Sequence, residues 1–136
     1  MFLLDTNVLS ALRRPDRAPP ALLAWAGALA AEDLFLSVIT VLEVELGALL
    51  KARQDRAQGA LLRRWIDQRV LPAFAGRILA VDVAVARRCA ALHVPATRSE
   101  RDALLAATAL VHGLTVATRN GADFQPTGVA VVNPFA

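Results

Sequence analysis

Five short apolar runs punctuate the chain: FLL at 2–4, LFLS at 34–37, RILAVD at 77–82, LTVAT at 114–118 and VAVVN at 129–133. Helical patterns fill the gaps. A brief continuous apolar run suits a strand buried on both faces, as parallel sheets require. Strands that alternate with helices need crossover connections, which put helices on both sides of the sheet. The chain is therefore expected to be α/β, with a central, mostly parallel sheet of about five strands. Its 136 residues, 56% of them hydrophobic, suffice for one core, so a single domain over 1–136 is expected.

The helices are marked by periodicity and punctuation. TNVLSALRR (6–14) is ended by Pro15, and APPALLAWAGALAAE (18–32) carries Leu22, Trp25, Ala26 and Leu29 on one face. TVLEVELGALLKARQ (40–54) follows the second strand, and ALLRRWIDQRV (60–70) has Leu61, Leu62, Trp65, Ile66 and Val70 at helical spacing. VAVARRCAALH (83–93) is stopped by Pro95, while SERDALLAATALVHG (99–113) has Ser99 to cap it and Gly113 to end it.

In open parallel sheets, ligands bind outside the carboxyl ends of the strands. Four acids fall there. Asp5 ends the first strand, Glu43 lies in the first turn of the helix after the second, Asp102 lies in the first turn of the helix at Ser99, and Asp123 follows the fourth strand. Each has a purely structural explanation. Asp5 and Asp123 can cap helices, and Thr40-x-x-Glu43 and Ser99-x-x-Asp102 have capping-box spacing. As a set they say more, because all four are expected to converge on one edge. Two carboxylates about 4 Å apart repel by roughly 4 kcal/mol at an effective dielectric of about 20. A cluster of four calls for raised pKa values or a cation. Hard oxygen donors without His or Cys favour Mg²⁺ or Mn²⁺ over Zn²⁺. Carboxylate-held divalent ions are a known device for cutting phosphodiesters.

Charge points the same way. The chain has 15 Lys and Arg against 12 Asp and Glu, and Lys51 is the single lysine. With four acids drawn into a metal site, the remaining surface is strongly basic, which suits a nucleic-acid substrate. An Arg- and Ala-rich composition can also reflect a GC-rich genome. Cys89 is the only cysteine, which excludes an intrachain disulfide, and a buried inert thiol is expected. No apolar run approaches the roughly 20 residues of a membrane span, and the opening run is too short for a signal peptide, so a cytoplasmic location is expected.

LLDTNVLS, SVITVLEVELGAL, RDALLAATALVHGLTVATRNGADF and the closing VVNPF together resemble the PIN-domain ribonucleases, above all the VapC and FitB-like toxins of bacterial type II toxin–antitoxin pairs. The resemblance runs from Met1 to about Pro134 and is weakest between Arg53 and Arg77. It implies an endoribonuclease that hydrolyses RNA with a metal-activated water, leaving 5′-phosphate and 3′-hydroxyl ends. It matches Asp5, Glu43, Asp102 and Asp123 to a catalytic quartet that binds Mg²⁺ or Mn²⁺. It matches Asn7, Thr118 and Asn120 to polar residues that orient carboxylates, water or phosphate. It further implies a homodimer restrained by a cognate VapB-like antitoxin, whose C-terminal segment brings a basic residue to the acids.

Other residues carry less. Glu45 lies about 200° round the helix from Glu43 and is given no metal role. Asp82 is expected to cap the helix at Val83. Arg13, Arg14, Arg98 and Arg119 are candidates to hold flanking phosphates, each otherwise a solvated surface arginine. His93 and His112 end helices, where the dipole favours them. Trp25 and Trp65 are expected in the core or at a dimer contact, with a groove near Trp25 as a minority site for an antitoxin helix.

A haloacid-dehalogenase-type phosphatase would carry a second Asp where Asn7 stands. The main alternative is a binding module acting in an antitoxin-containing, operator-bound repressor complex with little nuclease activity. Four clustered carboxylates argue against a purely non-catalytic role.

Overall fold

The computed structural model describes all 136 residues. Five strands form one sheet: β1 (Phe2–Leu4), β2 (Leu34–Ser37), β3 (Ile78–Leu79), β4 (Thr115–Ala117) and β5 (Val131–Val132). Their order is β3-β2-β1-β4-β5, and every pair is parallel. The chain thus builds one half outward from β1 through β2 and β3. It then crosses to the other side of β1 for β4 and β5. The reversal leaves a crevice between the carboxyl ends of β1 and β4, where ligands collect in sheets of this kind.

The period-2 alternation of strand side chains divides the core. Leu4, Leu36 and Ala117 face one layer, packed with Val8, Leu9, Leu22, Val44, Ile66 and Val70. That layer belongs to α1 (Thr6–Leu12), α2 (Pro20–Gly27), α3 (Val38–Gln54) and the stretch that follows α4 (Arg56–Trp65). Leu3 and Val116 face the other layer, packed with Leu105, Ala106, Ala109 and Phe124. These come from α7 (Glu100–His112) and α8 (Gly121–Phe124). A satellite cluster of Val85, Cys89, Ala103 and Ala107 joins α6 (Val83–Leu92) to α7. No helix is long and apolar enough to cross a membrane.

Several boundaries differ from the sequence reading. The outer strands are shorter: β3 keeps only two residues of 77–82, and β5 two of 129–133. Each is an edge strand, paired on one side alone. The helix expected at Thr40 starts at Val38, capped by Ser37, whose hydroxyl accepts from the Ile39 N–H at 3.0 Å. Thr40 is instead buried inside α3, and its hydroxyl donates to the Leu4 carbonyl at 3.4 Å, tying α3 to β1. The helix expected over 60–70 is regular only to Trp65. Residues Ile66–Val70 form a π turn in which the Leu71 N–H bonds back to the Ile66 carbonyl, before the short α5 (Leu71–Ala73). Pro72 supplies the reason: proline has no N–H for the Gln68 carbonyl and its ring crowds the residue four back.

Gly113 ends α7 in the left-handed conformation, φ 67°, as its type predicts. Asp82 caps α6 through the Val85 N–H at 2.9 Å. Gly59 allows α3 and α4 to touch, since a Cβ there would meet the Ala52 Cα at 2.5 Å. Trp25 is half-buried and packs edge-on to Phe2, with ring centroids 5.1 Å apart.

Candidate active site

Asp5 leaves β1 as its backbone N–H bonds the Ala117 carbonyl of β4 at 2.9 Å, which sets it beside the end of that strand. Its carboxylate has two jobs. Oδ1 accepts from the Thr6 N–H at 2.8 Å and caps α1, as the structural reading expects. Oδ2 accepts from the Thr118 hydroxyl at 2.7 Å and, more loosely, from the Asn7 amide at 3.4 Å. Thr118 is fully buried and its Oγ1 also accepts from the Asn120 N–H at 3.0 Å. Asn7 closes the ring: its Oδ1 accepts from the Arg119 N–H at 3.2 Å. A polar seam thus joins the turns after β1 and β4, 113 positions apart in sequence.

Glu43 reaches the same place from α3. It is in the second turn rather than the first, because the helix begins two residues earlier than expected. No capping box holds it. Thr40 points at Leu4, while Glu43 Oε1 accepts from the Thr6 hydroxyl at 2.7 Å. Glu43 Oε2 lies 3.7 Å from an Arg101 guanidinium nitrogen. Asp102 is in the first turn of α7, where Ser99 occupies the cap position but its side chain caps nothing. Burial pushes the Asp102 carboxyl above the usual range, and Asp5, Asp123 and Glu43, in that order, push it further. Asp5, Asp123 and Glu43 therefore all act on Asp102 across a common pit. Asp123 is the most open of them, on the short α8 after β4.

The donor set fits a hard divalent cation. Four carboxylate groups converge with no His or Cys among them, and the half-buried Asp102 is the one whose charge most needs an opposite partner.

Of the four arginines expected at the rim, the structure redistributes the roles. Arg98 is occupied: its Nε donates to the Leu92 carbonyl at 2.7 Å and its Nη2 to the Pro126 carbonyl at 3.4 Å. Both are backbone groups of its own neighbourhood, so Arg98 buttresses loops instead of facing the pit. Arg14 pairs with Asp16 at 3.2 Å. The Arg119 guanidinium lies over the Phe135 ring at 3.9 Å. Arg13 lines a cavity of its own with Arg64, Trp65, Gln68 and Arg69. The sequence reading did not single out Thr6 or Arg101. Thr6 sits between Asp5 and Asn7, and Arg101 immediately precedes Asp102. Adjacency to the acids was the available signal, but helical phase decides which neighbour turns toward them. Trp65, and not Trp25, lines the apolar groove beside Glu43.

Cys89, His93 and Glu100 form a separate cluster, their ligand-type atoms within 4.8 Å of one another. The His93 Nδ1 accepts from the Arg98 N–H at 3.1 Å. A neutral imidazole so held carries its proton on Nε2, the atom facing Cys89 and Glu100. That tautomer donates a hydrogen bond and offers no lone pair to a metal. The cluster is a clasp between α6 and α7, and Cys89 is buried as expected.

The chain is an open parallel sheet with acids gathered at its reversal point, and the PIN-domain model matches residues 2–128. The VapC ribonuclease Y4jK of Sinorhizobium fredii is 39% identical over 142 residues, covering 99% of this chain and 98% of that protein. The crystal structure of FitAcB from Neisseria gonorrhoeae superposes with a TM-score of 0.90 at 41% identity, covering 99% of each chain. A structure of FitAB bound to an IR36 DNA fragment gives 0.86 at 38% identity, covering 100% of this chain and 96% of that one. The chain belongs to the PIN-domain family, and within it to the VapC/FitB-like ribonuclease toxins of toxin–antitoxin systems.

Proposed function

We propose that this ribonuclease toxin hydrolyses RNA phosphodiesters at the pit of Asp5, Glu43, Asp102 and Asp123, using Mg²⁺ or Mn²⁺. The observation that carries the reading is the gathering of the other three carboxylates around the half-buried Asp102, whose carboxyl is raised by burial and then by Asp5, Asp123 and Glu43. Asp5, Asp102 and Asp123 would hold the cation directly, and Glu43 would complete its surroundings. When bound, the cation supplies neutralisation of the phosphate and activation of water. The protein's own groups do the rest. Thr118 and Asn7 orient Asp5, Thr6 orients Glu43, and the Asn120 backbone turn keeps Thr118 in place. Of the polar residues assigned to substrate, Asn7 and Asn120 would receive a phosphate or water, while the buried Thr118 would act through Asp5. Arg101 adds positive charge at the rim.

Control follows from the same electrostatics. A cognate VapB-like antitoxin that places a guanidinium among the four acids would occupy the position of the cation. The toxin is proposed to act as a homodimer in that complex. A second reading, a mainly operator-bound repressor role, draws on the solved FitAB complex on DNA.

The deciding experiment is cleavage of a panel of cellular RNAs by antitoxin-free protein in Mg²⁺, Mn²⁺ or EDTA, beside Asp5→Asn purified identically. Specific cuts that need metal and vanish in Asp5→Asn are expected. Equal cutting by wild type and Asp5→Asn, together with operator binding by the metal-free chain, would favour the second reading.

A further inference from the structure

We propose that Arg13, Arg64 and Arg69, set around Trp65 and Gln68, form a second anchoring site for the RNA strand, holding a phosphate that flanks the one cut at the acid pit. The inference rests on the reading that the pit cuts RNA. The five residues line an open cavity of about 360 Å³ that contains no acid.

The charge here is unspent. The neighbouring Arg63 is held by Glu45 at 2.7 Å and faces Asp67 at 3.7 Å. Arg13, Arg64 and Arg69 have no carboxylate within ion-pair distance. Three unpaired guanidiniums at one cavity repel one another and favour an anion between them. Phosphate is the anion that their planar donor forks match.

The backbone is shaped to collect them. In a regular α-helix, residues five apart such as Arg64 and Arg69 lie about 140° apart and face different sides. The π turn over Ile66–Val70 widens the helix to an i to i+5 repeat, and both side chains line the same cavity. Pro72, by denying Gln68 its usual partner, sustains that turn.

A path connects this cavity to the pit. A second cavity of about 300 Å³ is lined by Thr6, Glu43, Lys51, Leu62 and Trp65. Trp65 lines both. A strand leaving the pit past Glu43 would meet the Trp65 indole as a stacking face and then the arginines, with Lys51 adding charge on the same cavity. An acidic protein segment could match the charge, but the path begins at the carboxylates, which receive a phosphodiester with its cation and repel an acidic peptide.

The test is binding of a labelled, mixed-sequence single-stranded RNA to the full chain in EDTA, so that nothing is cut, across a salt series. Arg64→Ala/Arg69→Ala should weaken binding roughly tenfold at low salt and lower the salt slope by about 0.7 to 1.4, since each phosphate contact on a single strand contributes about 0.7. Arg53→Ala/Arg56→Ala removes the same charge outside the cavity and should change affinity less than about twofold. Equal effects of the two doubles would reduce the site to general charge and overturn the proposal. So would an unchanged slope, or a loss of antitoxin affinity with RNA binding intact. Failure of the wild-type chain to bind RNA would overturn this site and weaken the ribonuclease reading together. Binding that persists while cutting vanishes in Asp5→Asn keeps the two claims apart.

Discussion

The Thr6 hydroxyl donates to Glu43 Oε1 at 2.7 Å, linking the first residue of α1 to the second turn of α3 across 37 positions of sequence. The bond leaves the other Glu43 oxygen facing the pit and Arg101. Without it, the glutamate has rotamer freedom that a cation would have to remove on binding.

Thr6→Val keeps the shape and deletes the donor. Mn²⁺ affinity, measured by calorimetry on antitoxin-free protein, should fall about 10- to 100-fold, the range for groups that orient metal ligands. Thr6→Ser should restore most of it. Equal affinity in wild type and Thr6→Val would show that Glu43 needs no such support.

Thr118 is the counterpart beneath Asp5. Thr118→Ala removes a fully buried hydroxyl that bonds both the Asn120 N–H and Asp5 Oδ2, leaving that oxygen only the looser Asn7 contact. Denaturant unfolding should show a loss of about 1–3 kcal/mol, and RNA cleavage should drop further than stability alone explains. Thr118→Ser should recover both.

Arg101 competes for the charge that a cation would neutralise. Arg101→Gln should tighten Mn²⁺ binding several-fold at low salt, and less at high salt, because the pair with Glu43 is half-exposed and screened. Weaker Mn²⁺ binding in Arg101→Gln would mean that the guanidinium positions Glu43 instead.

Burial, and then the Glu100 carboxylate, push the Cys89 thiol up. A raised thiol pKa leaves less thiolate at any pH below it. Alkylation of Cys89 in folded protein at pH 8 should therefore be far slower than in urea. Glu100→Gln removes the negative neighbour and should speed it. A folded rate equal to the unfolded one would refute the clasp.

Gly59 sits where α4 meets α3. Gly59→Ala inserts a methyl against backbone that cannot yield, so a destabilisation of about 1–3 kcal/mol is expected by chemical denaturation. The change would also displace α4 and the arginine cavity it carries.

Much of the site could be read along the chain. Asp5, Asp102 and Asp123 stand beside strand ends or helix starts, and period and punctuation locate those. Asp82 as a cap and Gly113 as a stop follow from residue type and local backbone alone. Glu43 was legible as an acid after β2, but its turn of the helix was not, since Ser37 competed with Thr40 for the cap. Arg98 and Arg119 looked equivalent to Arg13 in sequence. Their partners, the Leu92 carbonyl and the Phe135 ring, are supplied by folding.

What the sequence determined by itself is what depends on short-range physics. Apolar period, caps and breakers specify the alternation of strands and helices, and alternation implies a parallel sheet with a ligand-bearing carboxyl edge. Only the tertiary structure decided what lies within a few ångströms across that edge: Thr118 on Asp5, Thr6 on Glu43, Arg69 beside Arg64. Such contacts depend on strand order, helical phase and one proline-sustained π turn. Each of these is fixed by packing over the whole molecule, because a shift of one residue in phase turns a side chain about 100° away from its partner.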